Sequence, residues 1–210
     1  MHKVIRIPCG SGNCFCVEEE GNAILIDTCR AEHRETILRA CADKNIRLIV
    51  LTHGHVDHVQ NAAALSRTLD VPIAMHEADY VLANNNLEEP MFATNIVGKY
   101  VLAAMKKSFG RDKIEPFEPQ VFLKEGDRLD SFGITATVLE LPGHTRGSLG
   151  ILVGDVDLFV GDALMNLYFP AKSLLYGDRE NMLRSVERIG GFSGVTIHFG
   201  HGKSLKNRRW

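Results

Sequence analysis

The six residues His53-Gly54-His55-Val56-Asp57-His58 follow directly on the largely apolar run Ile46 to Leu51, and no other stretch constrains the chain as much. A short run with apolar residues on both faces predicts a strand buried inside a sheet. Three imidazoles and a carboxylate placed after it arrive at the strand's C-terminal end, where α/β proteins gather ligand sites. His53 and His55 are two apart, so in extended chain their side chains leave the same side. Asp57 and His58 fall where the chain must turn into the next helix and would face a second point nearby. That layout suits two adjacent metal ions.

Three further donors each close an apolar or strand-like run: His144 in LPGHTRGS, Asp162 in LFVGDAL and His201 in IHFGHGK. The motif HGHVDH followed by these three resembles the metallo-β-lactamase fold superfamily, in the family's order and over nearly all of the 210 residues. The resemblance implies a single domain, residues 1–210, of α/β class, built as a four-layer αββα sandwich with the ligands at one edge. It implies that His53, His55 and His144 hold one ion, that Asp57, His58 and His201 hold the other, and that Asp162 bridges them. Asp27, closing the run Ala23 to Ile26, matches a family position that orients the ligand loop from behind.

Periodicity supplies the elements. Lys3 to Ile7, Phe15 to Glu18 and Ala23 to Ile26 read as strands, separated by turn signals at Gly10 to Gly12 and Gly21-Asn22. Glu32 to Asp43 reads as a helix with Ile37, Leu38 and Cys41 on one face, and Ala62, Leu65 and Leu69 give helical spacing after the motif. Val71 to Met75 is another strand. A second cluster follows: strands near Ile134 to Leu139, Leu149 to Val153 and Leu158 to Val160, a helix from Arg179 to Ile189, and a strand from Val195 to Phe199. Gly154-Asp155 marks a tight turn between two of these strands.

Residues 83–119 break the alternation. Asn84-Asn85-Asn86 opens the segment, Pro116 and Pro119 bound its end, and Ile96 to Phe109 is apolar around much of a helix. Such an insertion would roof the site as a lid, bury its apolar face in a homodimer, or pack as an ordinary helix.

Composition excludes several classes. With 45% hydrophobic and 24% charged residues the chain is an ordinary globular one, and a net charge of −2 gives no broad attraction for nucleic acid. The N-terminus MHKVIRIPCG enters strand-like alternation at once, without an apolar stretch long enough for a signal sequence or a membrane span. The five cysteines, at 9, 14, 16, 29 and 41, have no zinc-knuckle spacing, so reduced thiols and a cytoplasmic location are expected. Cys14 and Cys16 share one strand face, where packing is the plain reading and a redox pair the other. The basic ending Lys203 to Arg209 reads as a solvated tail.

Two divalent ions at such a site would lower the pKa of a shared water and supply hydroxide near neutral pH. Zinc is the first expectation for these donors, and iron and manganese accept them too. Asp57 is the candidate catalytic residue, shuttling a proton through an oxygen that does not ligate. The four motif strings look most like thioester hydrolases of the glyoxalase II type, with a small-molecule substrate. Two departures stand in the chain. Gln60-Asn61 occupies the place of that family's Gly-Gly pair, and nine residues follow His201 where the family carries a helical extension that helps bind glutathione. The resemblance therefore implies thioester or ester cleavage without extending to glutathione as the carrier.

Lactonase or phosphodiesterase chemistry is the alternative on the same site; lactonases of the family place a tyrosine close behind the bridging aspartate, and Tyr168 comes slightly late for that role. A mononuclear iron persulfide dioxygenase is the alternative of another class, and a non-catalytic metal-binding scaffold a third. Arg146, Tyr168, Lys172 and Lys203 neighbour ligand loops and could bind a substrate carboxylate or phosphate, with surface residues as the plainer reading.

Overall fold

Strands buried on both faces arrange the chain as two main sheets with three apolar clusters. The computed structural model describes residues 1–210. In the first half, β1 (His2–Cys9) and β2 (Gly12–Glu19) form a hairpin, and β3 (Asn22–Ile26) returns antiparallel to β2. β4 (Ile46–Val50) and β5 (Ile73–Met75) then add in parallel, reached through α1 (Arg34–Cys41), α2 (Val56–Val59) and α3 (Ala62–Leu69). α4 (Tyr80–Asn84), the short β6 (Phe92–Ala93) and the long α5 (Ile96–Arg111) precede β7 (Val121–Phe122), which joins the edge of β5. The sheet order is β1-β2-β3-β4-β5-β7, so β4, which leads into His53, is flanked on both sides.

The second half supplies β8 (Ala136–Glu140), β9 (Leu149–Val153) and β10 (Asp157–Phe159), the short β11 (Leu164–Met165), β12 (Ala171–Lys172) and β13 (Leu175–Tyr176), then α6 (Arg179–Gly191), β14 (Thr196–His198) and β15 (Leu205–Lys206). Its five-stranded sheet has the order β15-β14-β10-β9-β8, while β11 pairs with β12 and β13 with β6. β9 turns into β10 at Gly154 and Asp155, both with positive φ (53° and 59°), and the Val156 N–H donates to the Val153 carbonyl. These are the backbone angles of the two-residue turn that suits the twist of a hairpin.

Successive side chains on a strand point to opposite faces. On β2, Cys14 and Cys16 therefore enter a cluster with Ile37 of α1 and Leu65 of α3, whereas Phe15 and Val17 enter a second cluster. That second cluster is shared between the sheets, with Ile24, Leu48 and Val50 from one and Val138, Ile151 and Phe159 from the other. A third cluster joins Leu139, Leu152 and Leu158 to Met182, Val186 and Ile189 of α6. All five cysteines are free thiols in the first cluster.

The periodic elements of the sequence lie where the pattern puts them to within a few residues, except that the helix expected from Glu32 is a 3-10 turn over Ala31–His33 before α1 begins. The C-terminal tail differs from expectation. Its Lys203, Lys206, Arg208 and Arg209 are exposed, but its backbone is not a free tail: Leu205 and Lys206 pair with β14, and the Asn207 side-chain amide donates to the carbonyls of Ile189 (2.6 Å) and Phe192 (2.7 Å) at the end of α6. The Ile189 carbonyl also accepts the Phe192 N–H (3.1 Å), and the Asn207 amide adds a second donor there and one to the Phe192 carbonyl beyond the helix end. Trp210 then packs edge-on against Phe199 at 5.9 Å, with the Arg208 guanidinium over its ring. No helix is long and apolar enough to cross a membrane.

Because Trp210 anchors this strand, Trp210→Ala should lower the free energy of unfolding by about 1–3 kcal/mol. Urea denaturation followed by far-ultraviolet circular dichroism checks this; an unchanged midpoint would mean the indole contributes nothing.

Candidate metal centre

The site is formed by residues that follow five strands: Asp27 after β3, the HGHVDH motif after β4, His144 after β8, Asp162 after β10 and His201 after β14. Asp27 follows β3 with φ +60°, and its carboxylate is buried. It accepts hydrogen bonds from the Thr52 amide (2.8 Å) and the Thr52 hydroxyl (2.9 Å), immediately after β4, and faces His58 Nδ1 on α2 at 2.8 Å. The start of the ligand loop and its third imidazole thus hang from one carboxylate.

The ring nitrogens divide consistently. His58 Nδ1 faces Asp27, His53 Nδ1 faces the Thr52 hydroxyl (3.2 Å), His144 Nδ1 faces the Leu175 carbonyl (3.0 Å) and His201 Nδ1 faces the Ser11 carbonyl (3.0 Å). An acceptor at Nδ1 fixes the proton there and leaves the Nε2 lone pair turned to the opposite side. His55 is the exception: its Nδ1 lies 3.1 Å from His144 Nε2.

Donor atoms of His53, His55 and His144 lie within 4.8 Å of one another, and the same holds for Asp57, His58 and His201 and for His53, His58 and Asp162. Asp162 stands between the first two groups, its carboxylate oxygens 3.4 Å from His201 Nε2, 3.6 Å from His58 Nε2 and 3.8 Å from His144 Nε2. His53 Nε2, His58 Nε2 and Asp162 Oδ1 are buried without any hydrogen-bond partner. Buried polar atoms are rarely left so. Three converging lone pairs without a protein donor fit divalent cations, and the imidazole and carboxylate donors are those zinc or iron accepts. A side chain at Gly200 would close the space, since a Cβ there would lie 2.5 Å from Asp162 Oδ1.

Electrostatics separate the two groups. Burial, reinforced by neighbouring imidazoles, holds His53 well below the usual histidine range and His55 down at about 3. Burial also opposes charge on His58, but Asp27, Asp162 and Asp57 outweigh it and hold this ring at about 8. His201 is raised as well, the carboxylates of Asp162 and Asp57 overcoming its burial. Asp57 and Asp162 stay below the ordinary carboxylate range, because the surrounding imidazoles outweigh desolvation.

The HGHVDH pattern does not reveal Asp79. This side chain is fully buried, and its Oδ2 accepts from the Gly54 amide (2.9 Å) and the Thr145 hydroxyl (2.7 Å) while its Oδ1 accepts from the Gly147 amide (2.6 Å). It joins the His53–His55 loop to the His144 loop, 65 or more residues away. Gly54 has no alternative here: a Cβ would lie 2.5 Å from the Asp79 carbonyl oxygen. Phe109 of α5 is also new, its ring packed 5.0 Å from that of His55. Gln60 and Asn61 act through their side chains. Asn61 donates to the Thr28 carbonyl (2.9 Å), and Gln60 accepts from Ala31 N–H (3.0 Å) and donates to the Lys113 carbonyl (2.9 Å).

The four substrate candidates are not brought together at the cluster. The Arg146 side chain is exposed with its Nε 3.5 Å from Glu89, and Tyr168 is 91% exposed. Lys172 borders a cleft with Trp210, and exposed Lys203 receives a hydrogen bond at its carbonyl from Asn166 (2.7 Å). His2 and His198 lie apart from the donor groups and share Asp157, each at 2.8 Å.

The sequence profile of the metallo-beta-lactamase superfamily matches residues 7–201. An uncharacterized protein of Mycobacterium tuberculosis is 31% identical over 206 residues, covering 91% of this chain and 86% of that one. The hydroxyacylglutathione hydrolase GloC of Haemophilus influenzae is 28% identical, covering 88% of this chain and 81% of that one. A hydroxyacylglutathione hydrolase of Cereibacter sphaeroides is likewise 28% identical, covering 99% of this chain and 69% of its own length. Among solved structures, TTHA1623 in a di-iron-bound form superposes with a TM-score of 0.70 at 26% identity, covering 97% of this chain and 94% of that one. The BLEG-1 B3 metallo-beta-lactamase shares the fold with a TM-score of 0.72 at 21% identity, covering 98% and 93%.

Two predictions follow from the geometry. Asp27→Asn should weaken metal binding at the His58 group and Asp79→Asn at the His55–His144 group, each roughly 10–100-fold; titration of metal-free protein with a divalent ion reads both, and equal effects on both ions would refute the separation. An ion entering beside His58 and His201 must displace their protons, so its affinity should fall about tenfold or more per unit as pH drops from 8 to 6. The ion beside His53 and His55 should lose less of its affinity over that range, as burial keeps those two rings neutral.

Proposed function

This chain belongs to the metallo-beta-lactamase superfamily, and we propose that within it the chain is a metal-dependent hydrolase of an acyl thioester or related ester. The observation that carries this reading is the convergence of His53 Nε2, His58 Nε2 and Asp162 Oδ1, buried and unpartnered, among seven donors of the metal-binding kind. Similarity to two hydroxyacylglutathione hydrolases supports the thioester class. In this reading His53, His55 and His144 hold one ion, Asp57, His58 and His201 the second, and Asp162 serves both. Zinc suits the donors, and iron is the substitute they accept most readily. When bound, the pair supplies Lewis acidity and a water acidified toward neutral pH.

The protein's own groups do the rest. Asp57 is the most open carboxylate of the cluster, with its side chain 25% exposed and one oxygen 3.5 Å from His201 Nε2. Its other oxygen is available to take a proton and pass it toward the leaving group. Asp27 and Thr52 keep His58 and His53 in the tautomer that presents Nε2. Phe109 covers the face of His55 and excludes water there, which makes α5 the lid of the site in this reading.

The test is release of free thiol from a short acyl thioester by metal-loaded protein, with Asp57→Asn at equal metal content. Turnover should fall at least about 100-fold in the variant with a much smaller change in KM. Unchanged turnover removes Asp57 from the proton path. No thiol release from protein holding two ions per chain overturns the thioester reading in favour of lactones or phosphodiesters, and one iron per chain with oxygen uptake on a persulfide would replace hydrolysis altogether.

A further inference from the structure

We propose that the apolar cleft between the start of α5 and residues 165–174 is the subsite for the acyl group, and that this group is an uncharged aliphatic chain of medium length. The inference rests on the thioester reading and names the substrate class for it. The cleft encloses about 300 Å³, and seven of its eight lining residues are hydrophobic, among them Val97, Met165, Leu167, Tyr168, Phe169 and Leu174. Four other clefts are less apolar: four of eight lining residues are hydrophobic in the one bordered by Met105 and Phe109, three of nine in the one beside Trp210, one of seven near Arg30 and none of nine beside the His144 loop.

Its walls are the backbone that holds the metal-binding side chains. Leu174 lies between Ser173, whose hydroxyl is 3.2 Å from His144 Nδ1, and Leu175, whose carbonyl is 3.0 Å from the same atom. At the other end, Asn166 sits between Met165 and Leu167, and its amide donates to the His201 carbonyl (2.8 Å). Met165 follows Asp162 by three residues. The cleft therefore adjoins the supports of His144, Asp162 and His201 together. Its two sides are also tied to each other, because Thr94 donates to the Leu174 carbonyl from its amide (2.9 Å) and its hydroxyl (3.1 Å), just before α5.

The lining decides what enters. Val97, Tyr168 and Phe169 remain 51%, 91% and 69% exposed, so apolar surface is held out to solvent at the cleft instead of being buried with the core. No charged side chain lines the cleft; its polar groups are the Asn95 amide, whose Oδ1 accepts the Gly98 amide at 2.9 Å, and the Tyr168 hydroxyl. A charged acyl group would lose hydration there and meet no opposite charge. If each non-hydrogen atom occupies roughly the ~30 Å³ of a liquid water, the cleft holds about ten of them.

The test is a series of N-acetylcysteamine thioesters with acyl chains of two to ten carbons, hydrolysed by metal-loaded protein. kcat/KM should rise about two- to fourfold for each added methylene and then level off. Val97→Asp should lower the ratio of decanoyl to acetyl kcat/KM at least tenfold, while Val156→Asp, an equally exposed apolar position on the β9–β10 turn, leaves the ratio as it is. The non-hydrolysable S-decyl thioether of N-acetylcysteamine, titrated by calorimetry, should bind the wild type at least tenfold more tightly than Val97→Asp. Thioether binding that depends on Val97 without hydrolysis of any thioester would sink the thioester reading and uphold the cleft. A flat series, or thioether binding indifferent to Val97→Asp, overturns the cleft. So does a dimer in sedimentation that Val97→Asp dissociates, since a second copy would then be its occupant.

Discussion

The Asp27 carboxylate sits at the end of β3 in a left-handed backbone conformation, almost without solvent, and the rest of the site is arranged around it. A buried carboxylate is costly unless its oxygens are hydrogen-bonded. Thr52 and His58 meet that demand, and both belong to the loop that bears the motif. The backbone repeats the connection: the Asp27 amide donates to the Val50 carbonyl and the Thr28 amide to the His58 carbonyl. Moving any one of these groups would leave a buried charge exposed to apolar surroundings, so strand order, loop path and imidazole tautomer are set together.

Asp79 applies the same physics to the other half of the cluster, with neutral donors alone. Its charge is spread over two amides and a hydroxyl, and burial pushes its carboxyl up from the ordinary range. Two buried anions thus stand behind the imidazoles, one on each loop system. Fixed negative charge in so poorly solvated a place favours a cation more strongly than it would in water.

How much could be read beforehand depended on how local each feature is. β4 and HGHVDH are contiguous, so their pattern exposes both the strand and the donors. Asp27, His144, Asp162 and His201 each close an apolar run, which makes them visible as strand ends. Asp79 carries no such mark, because its partners Gly54 and Gly147 come together only when two loops far apart in sequence meet. β6 and β13 are two residues each and have no period to detect. The C-terminal segment reads as solvated because lysines and arginines dominate it, yet Asn207 and Trp210 decide its fate. Gln60-Asn61 looks like a lost glycine pair, and in the fold these two side chains clasp residues 28–31 and Lys113.

α5 touches the donor cluster through a single ring, that of Phe109 on His55, and is fastened elsewhere by polar contacts at its two ends: Asn95 and Thr94 at the start, and Asp112 with Arg30 and Ser108 at the finish. The middle of the helix carries no donor and supports none. Changes of exposed side chain there remove no contact to the imidazoles or their acceptors. Surface side chains on this segment are therefore free to alter what the neighbouring cleft presents to solvent while the hydrogen bonds that orient the imidazoles stay as they are.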